Sequence, residues 1–216
     1  MKIVKEKLYE DYMSFTKDDT DPIKDMKFGL RFFIQKWLEQ MKVEDYKFTK
    51  RYSVNVYTSI LFNNMNLEEL PDYVKFNHIV GGFHINKNNL TSLRGCPYSV
   101  TGSFMASYNK LKDLKFGPYI VKESYGVSSN ELESLEGIAE IIGEDLYLNN
   151  NNFKTLKHIP SIIKGNLNIC HNPIETLEYF PNEVKGNILF SSSEVLTEEK
   201  IHERCKVQGY IISQEK

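Results

Sequence analysis

One spacing constrains this chain more than any other feature. Pro97, Pro118, Pro160 and Pro181 fall on a grid of 21 residues, with Ala139 on the grid point between Pro118 and Pro160 and Phe76 one period before Pro97. A β-branched residue follows each grid point at +3: Ile79, Val100, Val121, Ile142, Ile163 and Val184. At +7 come Phe83, Phe104, Tyr125, Leu146, Leu167 and Ile188, and at +9 Ile85, Ala106, Val127, Leu148, Ile169 and Phe190. At +12 stand Asn88, Asn109, Asn130, Asn151 and Asn172, with Ser193 ending the series. The Asn is followed at +14 by Leu90, Leu111, Leu132, Phe153 and Ile174, and at +17 by Leu93, Leu114, Leu135, Leu156 and Leu177. A degenerate first unit precedes these, with Ile60, Phe62, Leu67 and Leu70, and Met65 at the Asn position. A fixed period of this length means stacked coils, each unable to bury its apolar face alone.

Each position has a physical role. The alternation Phe104-x-Ala106 has period two, which predicts a short strand with both side chains facing inward. Ser103, Met105 and Ser107 then face out. An inward Asn can satisfy backbone N–H and C=O groups of its own and neighbouring coils where the chain leaves the strand. The two leucine positions after it fill the interior, and Pro and Gly make the turns on the return side. The expected structural ladder is therefore Asn88, Asn109, Asn130, Asn151 and Asn172.

The unit P-x-x-V-x-G-x-F-x-A-x-x-N-x-L-x-x-L resembles a leucine-rich repeat. It is similar to the short bacterial repeats of YopM/IpaH-type effectors, with one residue more before the strand, often beside Gly81, Gly102, Gly165 or Gly186. Leu90-Thr91-Ser92-Leu93-Arg94-Gly95-Cys96-Pro97 and Leu132-Glu133-Ser134-Leu135-Glu136-Gly137 also resemble leucine-rich-repeat proteins of large tailed bacteriophages. Those proteins carry a leading segment like Phe15–Met26 and a helix like Gln35–Met41. The resemblance implies a phage or prophage origin and the cytoplasm of a bacterial host. The effectors append a ligase domain, and only about 20 residues follow the repeats here, so that activity is not carried over. Glu123 and Glu144 stand where the strand-leading Gly is expected, and Ala139 replaces Pro, which predicts local distortion of those coils.

The expected class is an α+β repeat, a leucine-rich-repeat solenoid over residues 58–195 with short parallel strands. Residues 1–27 read as a flexible arm, because Pro22 and the acidic run before it break a helix. Within 28–57, Phe33, Trp37 and Met41 recur at spacing four on a capping helix, and Tyr46–Thr49 and Val54–Tyr57 alternate as strands. Residues 196–216 read as a C-terminal cap, with Thr197 as N-cap of a helix over Glu198–Cys205 and Tyr210–Ile212 as a closing strand.

No chemistry-bearing motif emerges. Cys170-His171 lacks the carboxylate and geometry of a nucleophile pair, and the cluster Asp18/Asp19/Asp21 lacks the Gly and spacing of a calcium loop. Cys96, Cys170 and Cys205 form no CxxC pair, so neither a zinc site nor a disulfide framework is expected. The reading is non-enzymatic, with no cofactor and no metal. A net charge of −2 argues against a nucleic-acid partner, and no apolar run is long enough to span a membrane. What remains is a surface. The outward strand positions should align on the concave face, with His84, Met105, Tyr147, Asn168 and Leu189 as central members and Lys87 and Tyr108 just beyond the strand. A polar, nearly uncharged face bearing Tyr and Met suits a protein partner, either a host factor or a phage protein. The alternative is a virion-associated protein recruited by its N-terminal arm. A monomer is expected, with end-to-end self-association where a cap is incomplete.

Overall fold

The computed structural model describes residues 22–214. Helix α1 spans Pro22–Gln40 and leads into an antiparallel hairpin of β1 (Tyr46–Phe48) and β2 (Val54–Val56). Fifteen further strands follow, with one short helix, α2 (Glu198–Arg204), between β15 and β16. Strands β3 (Ile60–Leu61), β5 (Phe83–His84), β7 (Phe104–Met105), β9 (Tyr125–Gly126), β11 (Leu146–Tyr147), β13 (Leu167–Asn168), β15 (Ile188–Ser191) and β17 (Ile211–Gln214) form one eight-stranded parallel sheet. Register is strict: Phe83, Phe104, Tyr125, Leu146, Leu167 and Ile188 are successive partners. The chain is a parallel-strand solenoid, as the repeat implies, and β17 beyond residue 195 brings it to about eight turns.

The second side of each coil departs from the expectation. Residues read as a turn around the β-branched position form a second strand ladder. Strands β4 (Phe76–Ile79), β6 (Ser99–Val100), β8 (Ile120–Val121) and β10 (Ile141–Ile142) continue from β1 and β2 as a six-stranded sheet. Strands β12 (Ile162–Ile163), β14 (Glu183–Val184) and β16 (Lys206–Val207) form a separate three-stranded sheet. The inward residue of each pair, from Ile79 through Val184, is buried, so β-branched side chains pack between the two ladders.

That second ladder is broken at one junction. Elsewhere Lys122 N–H donates to Val100 O and Lys185 N–H to Ile163 O, but among the described residues β10 and β12 exchange no such bond. A cleft of about 350 Å³ opens there, lined by Ile138–Glu140 and His158–Ile162. The coil before the break is drawn tightly the other way: a Cβ on Gly143 would lie 1.7 Å from Lys122 O, so only glycine permits the approach. Of the coils expected to be distorted, the one with Ala139 and Glu144 parts from the coil that follows it, whereas the one with Glu123 pairs in register on both sides.

The interior is a set of columns. Phe83 and Phe104 stack with ring centroids 6.2 Å apart, and Phe104 meets Tyr125 at 5.1 Å. Asn109, Asn130 and Asn151 are buried, and each Nδ2 donates to a carbonyl of its own coil and to one in the coil before. Their Oδ1 atoms accept N–H groups of Leu90, Leu111 and Leu132. Asn88 makes the same link to Phe62 O, Met65 N–H and Leu67 N–H. Asn172 keeps its donor bonds, but its buried Oδ1 has no partner. The residue before each of these five asparagines is left-handed: Lys87, Tyr108, Ser129, Asn150 and His171 all have φ between 55° and 58°.

At the N-terminal end α1 begins at Pro22, not at residue 28. Proline breaks a helix only in its interior; at the first turn its missing N–H is no loss. Ile34, Trp37 and Leu38 are buried, and Trp37 meets Phe62 edge-on at 5.6 Å. Residues 1–21, with most of the expected arm, lie outside the described residues. At the C-terminal end Thr197 Oγ1 accepts Lys200 N–H and caps α2, which buries Ile201.

Candidate binding face

The outer face of the eight-stranded sheet holds the expected residues. Leu61, His84, Met105, Gly126, Tyr147, Asn168, Leu189 and Ile212 are consecutive register partners and form one row. Row neighbours therefore sit about 4.8 Å apart, the strand spacing. His84, Met105, Tyr147, Asn168 and Leu189 are half-buried, and Leu61 is 61% exposed. Lys87 and Tyr108 lie apart from the row on the left-handed turns, with Lys87 Nζ 5.9 Å from the Tyr108 ring centre.

The row is shaped by its glycines. A Cβ on Gly126 would fall 2.6 Å from Met105 Sδ, so the thioether lies across Gly126 in the gap between Met105 and Tyr147. A Cβ on Gly82 would meet His84 Nε2 at 2.7 Å, so the imidazole lies back on its own coil. Burial holds the His84 pKa below its ordinary value, against the pull of Glu123, which favours the charged form. Tyr147 donates its hydroxyl to Asp145 Oδ2 at 2.7 Å. That bond, then burial, then the charges of Asp145 and Glu144, push its pKa up to about 12.

The polar rows on either side are structural. Asp145 Oδ1 accepts Asn166 N–H, Asn166 Oδ1 accepts Asn187 N–H, and Asn187 Oδ1 accepts Tyr210 N–H. On the other side Asn63 Oδ1 accepts Asn86 N–H, Asn86 Oδ1 accepts Ser107 N–H, and Ser107 Oγ accepts Ser128 N–H. These side chains bridge successive coils where the strands are too short to close every backbone bond. Sequence reasoning placed them on the face but not in this role. Within the row Asn168 bonds back to its own chain, its Oδ1 accepting Cys170 N–H. Cys170, at an outward position of the repeat's strand register, is 1% exposed.

Two glutamates rim the face. Ser103 Oγ donates to Glu123 Oε2 at 3.0 Å and Ser124 Oγ to Glu144 Oε2 at 3.3 Å. With Asp145 they make an acidic edge beside Met105 and Tyr147. No group of three or more His, Cys, Asp or Glu side chains among the described residues is arranged to hold a metal ion. No described helix is long and apolar enough to cross a membrane.

A second exposed surface was not foreseen. Just before β6 and β8, Tyr98 and Tyr119 stack at 5.6 Å, while Ile141 on β10 and Ile162 on β12 stand on either side of the break, each of the four more than two-fifths exposed. The signal was present: apolar residues at +1 and +2 beside the buried +3 position make a strand with one face in solvent. Comparison with protein-family profiles, with curated proteins and with solved structures gave no match for this chain.

Proposed function

We propose that this chain is a non-enzymatic leucine-rich-repeat protein that binds another protein through the outer face of its eight-stranded sheet. The observation that supports this is the division of labour on that face: the flanking polar rows bond to backbone, while Met105, Tyr147 and Leu189 present apolar surface along the central row, with Gly126 and Asn168 between them. A partner surface with an apolar ridge and a basic flank fits, the ridge along the row and the flank against Glu123 and Glu144. On this reading α1 and α2 cap the ends of the stack, and the origin is a phage or prophage acting in a bacterial host.

The test is quantitative affinity capture from expressing cells, with wild type beside a Met105→Ala/Tyr147→Ala double variant of unchanged circular dichroism. Loss of the captured species by tenfold or more supports the proposal. An identical captured set rules the row out. A second reading rests on Tyr98, Tyr119, Ile141 and Ile162, which give the opposite side of the coils an exposed apolar surface. It requires the double variant to bind normally and Ile141→Asp to abolish capture.

A further inference from the structure

The eight-stranded sheet ends on β17, and that edge has the properties of a self-association surface. In each inner coil the inward residues donate N–H to the coil that follows: Phe104 to Ser124 O, Ala106 to Gly126 O and Ile188 to Tyr210 O. On β17 the same positions are Ile211 and Ser213, the partners of Ile188 and Phe190. No later strand among the described residues receives their N–H and C=O groups, which point along the sheet away from β15.

Edge strands are normally guarded by charge, proline, a bulge or shortness. The other outer edges show such guards: β1 has Lys47 at its centre, β16 contains Lys206, and β3 is only two residues long. β17 is four residues of Ile-Ile-Ser-Gln, and Val207–Gln214 is uncharged throughout, in a chain that is 26% charged. The core is also less deeply covered at this end. Ile211 is only partly buried, whereas Phe83, Leu146 and Ile188 in the same column are 0% exposed. Ile212 is 41% and Tyr210 77% exposed.

We propose that β17 pairs antiparallel with β17 of a second copy of this chain, about a two-fold axis at Ile212. Ile211 then opposes Ser213 of the second copy, and each such pair exchanges N–H···O bonds in both directions. The donors and acceptors match because the strand supplies both kinds at both positions. The two Ile212 side chains meet at the axis on the outer face, and the partly buried Ile211 of each copy gains cover beneath it. The uncharged strand makes a symmetric contact without opposing like charges. The two eight-stranded sheets continue as one.

Sedimentation equilibrium of the full chain tests this. The expected species has twice the 25.2 kDa chain mass and dissociates on Ile212→Lys, with Leu61→Lys at the far end leaving it intact. Ile212→Cys is the second variant: two-fold pairing brings the substituted thiols close enough for oxidation to trap a covalent dimer, and Leu61→Cys traps none. A wild-type monomer across the concentration range overturns the proposal. So does a dimer that survives Ile212→Lys, or one that Leu61→Lys also disrupts.

Discussion

The side-chain oxygen of Asn130 accepts the backbone N–H of Leu111, one coil earlier, at 3.1 Å. The same side chain donates Nδ2 to Ala106 O and Val127 O, each at 3.0 Å, so one carboxamide closes groups on two coils. Asn130→Ala leaves these buried groups unpaired and is expected to cost about 1–3 kcal/mol. Asn172→Ala should cost less, because Asn172 is only partly buried and its Oδ1 has no partner to lose. Urea melts of both variants check the order. Equal losses, or a neutral Asn130→Ala, would contradict the ladder.

The first sheet was legible because its determinants repeat: Phe104 and Ala106 alternate, Asn109 follows, and the pattern recurs in register. The second sheet was less legible. Its strands are mostly two residues long, and in Ser99-Val100 or Glu183-Val184 only one residue of the pair is apolar, too little to display a period of two. The break between β10 and β12 was visible only as departures from consensus, and where two coils part depends on backbone contacts such as Gly143 on Lys122. The polar bridges on the outer face were hidden for another reason: a Ser or Asn at an outward position looks the same whether it bonds water or the next coil's N–H.

Left-handed turns offer a stability test. His158 occupies, at φ 78°, the position that Gly95 and Gly137 occupy at φ 93° and 90°. A left-handed non-glycine residue costs about 1–2 kcal/mol, partly offset by the entropy that glycine loses on folding. His158→Gly is therefore expected to stabilise the protein by about 0.5–1 kcal/mol. Gly137→Ala should destabilise it, since its Cβ would fall 2.6 Å from Leu114 O. Thermal melts that reverse these signs would refute the assignment.

The parted junction predicts a local pattern of hydrogen exchange. Ile162 and Lys164 N–H groups should exchange much faster than those of Ile120 and Lys122, which are bonded to Tyr98 O and Val100 O. Amide exchange read at single residues decides this, and equal protection at the two junctions would show that β10 and β12 do pair in solution.

Tyr147 supplies a pH signature. Its neutral phenol is favoured in the folded chain, so the contribution is present below the ordinary value of 10.0 and is lost as pH rises through about 12. Asp145→Asn removes the carboxylate that accepts the hydroxyl proton, and the Tyr147 titration should move down toward 10.0. The difference between the phenolate absorbance of each protein and that of its Tyr147→Phe counterpart isolates the group. An unshifted midpoint would remove Asp145 as the cause.

Site-specific photo-crosslinking in expressing cells tests the binding face most directly. A photoreactive phenylalanine analogue is placed at Tyr147 on the eight-stranded sheet, at Leu189 two coils on, or at Ile141 on the opposite sheet. The predicted result is one and the same protein adduct at Tyr147 and Leu189 and none at Ile141. An adduct at Ile141 with none at Tyr147 or Leu189 would contradict it.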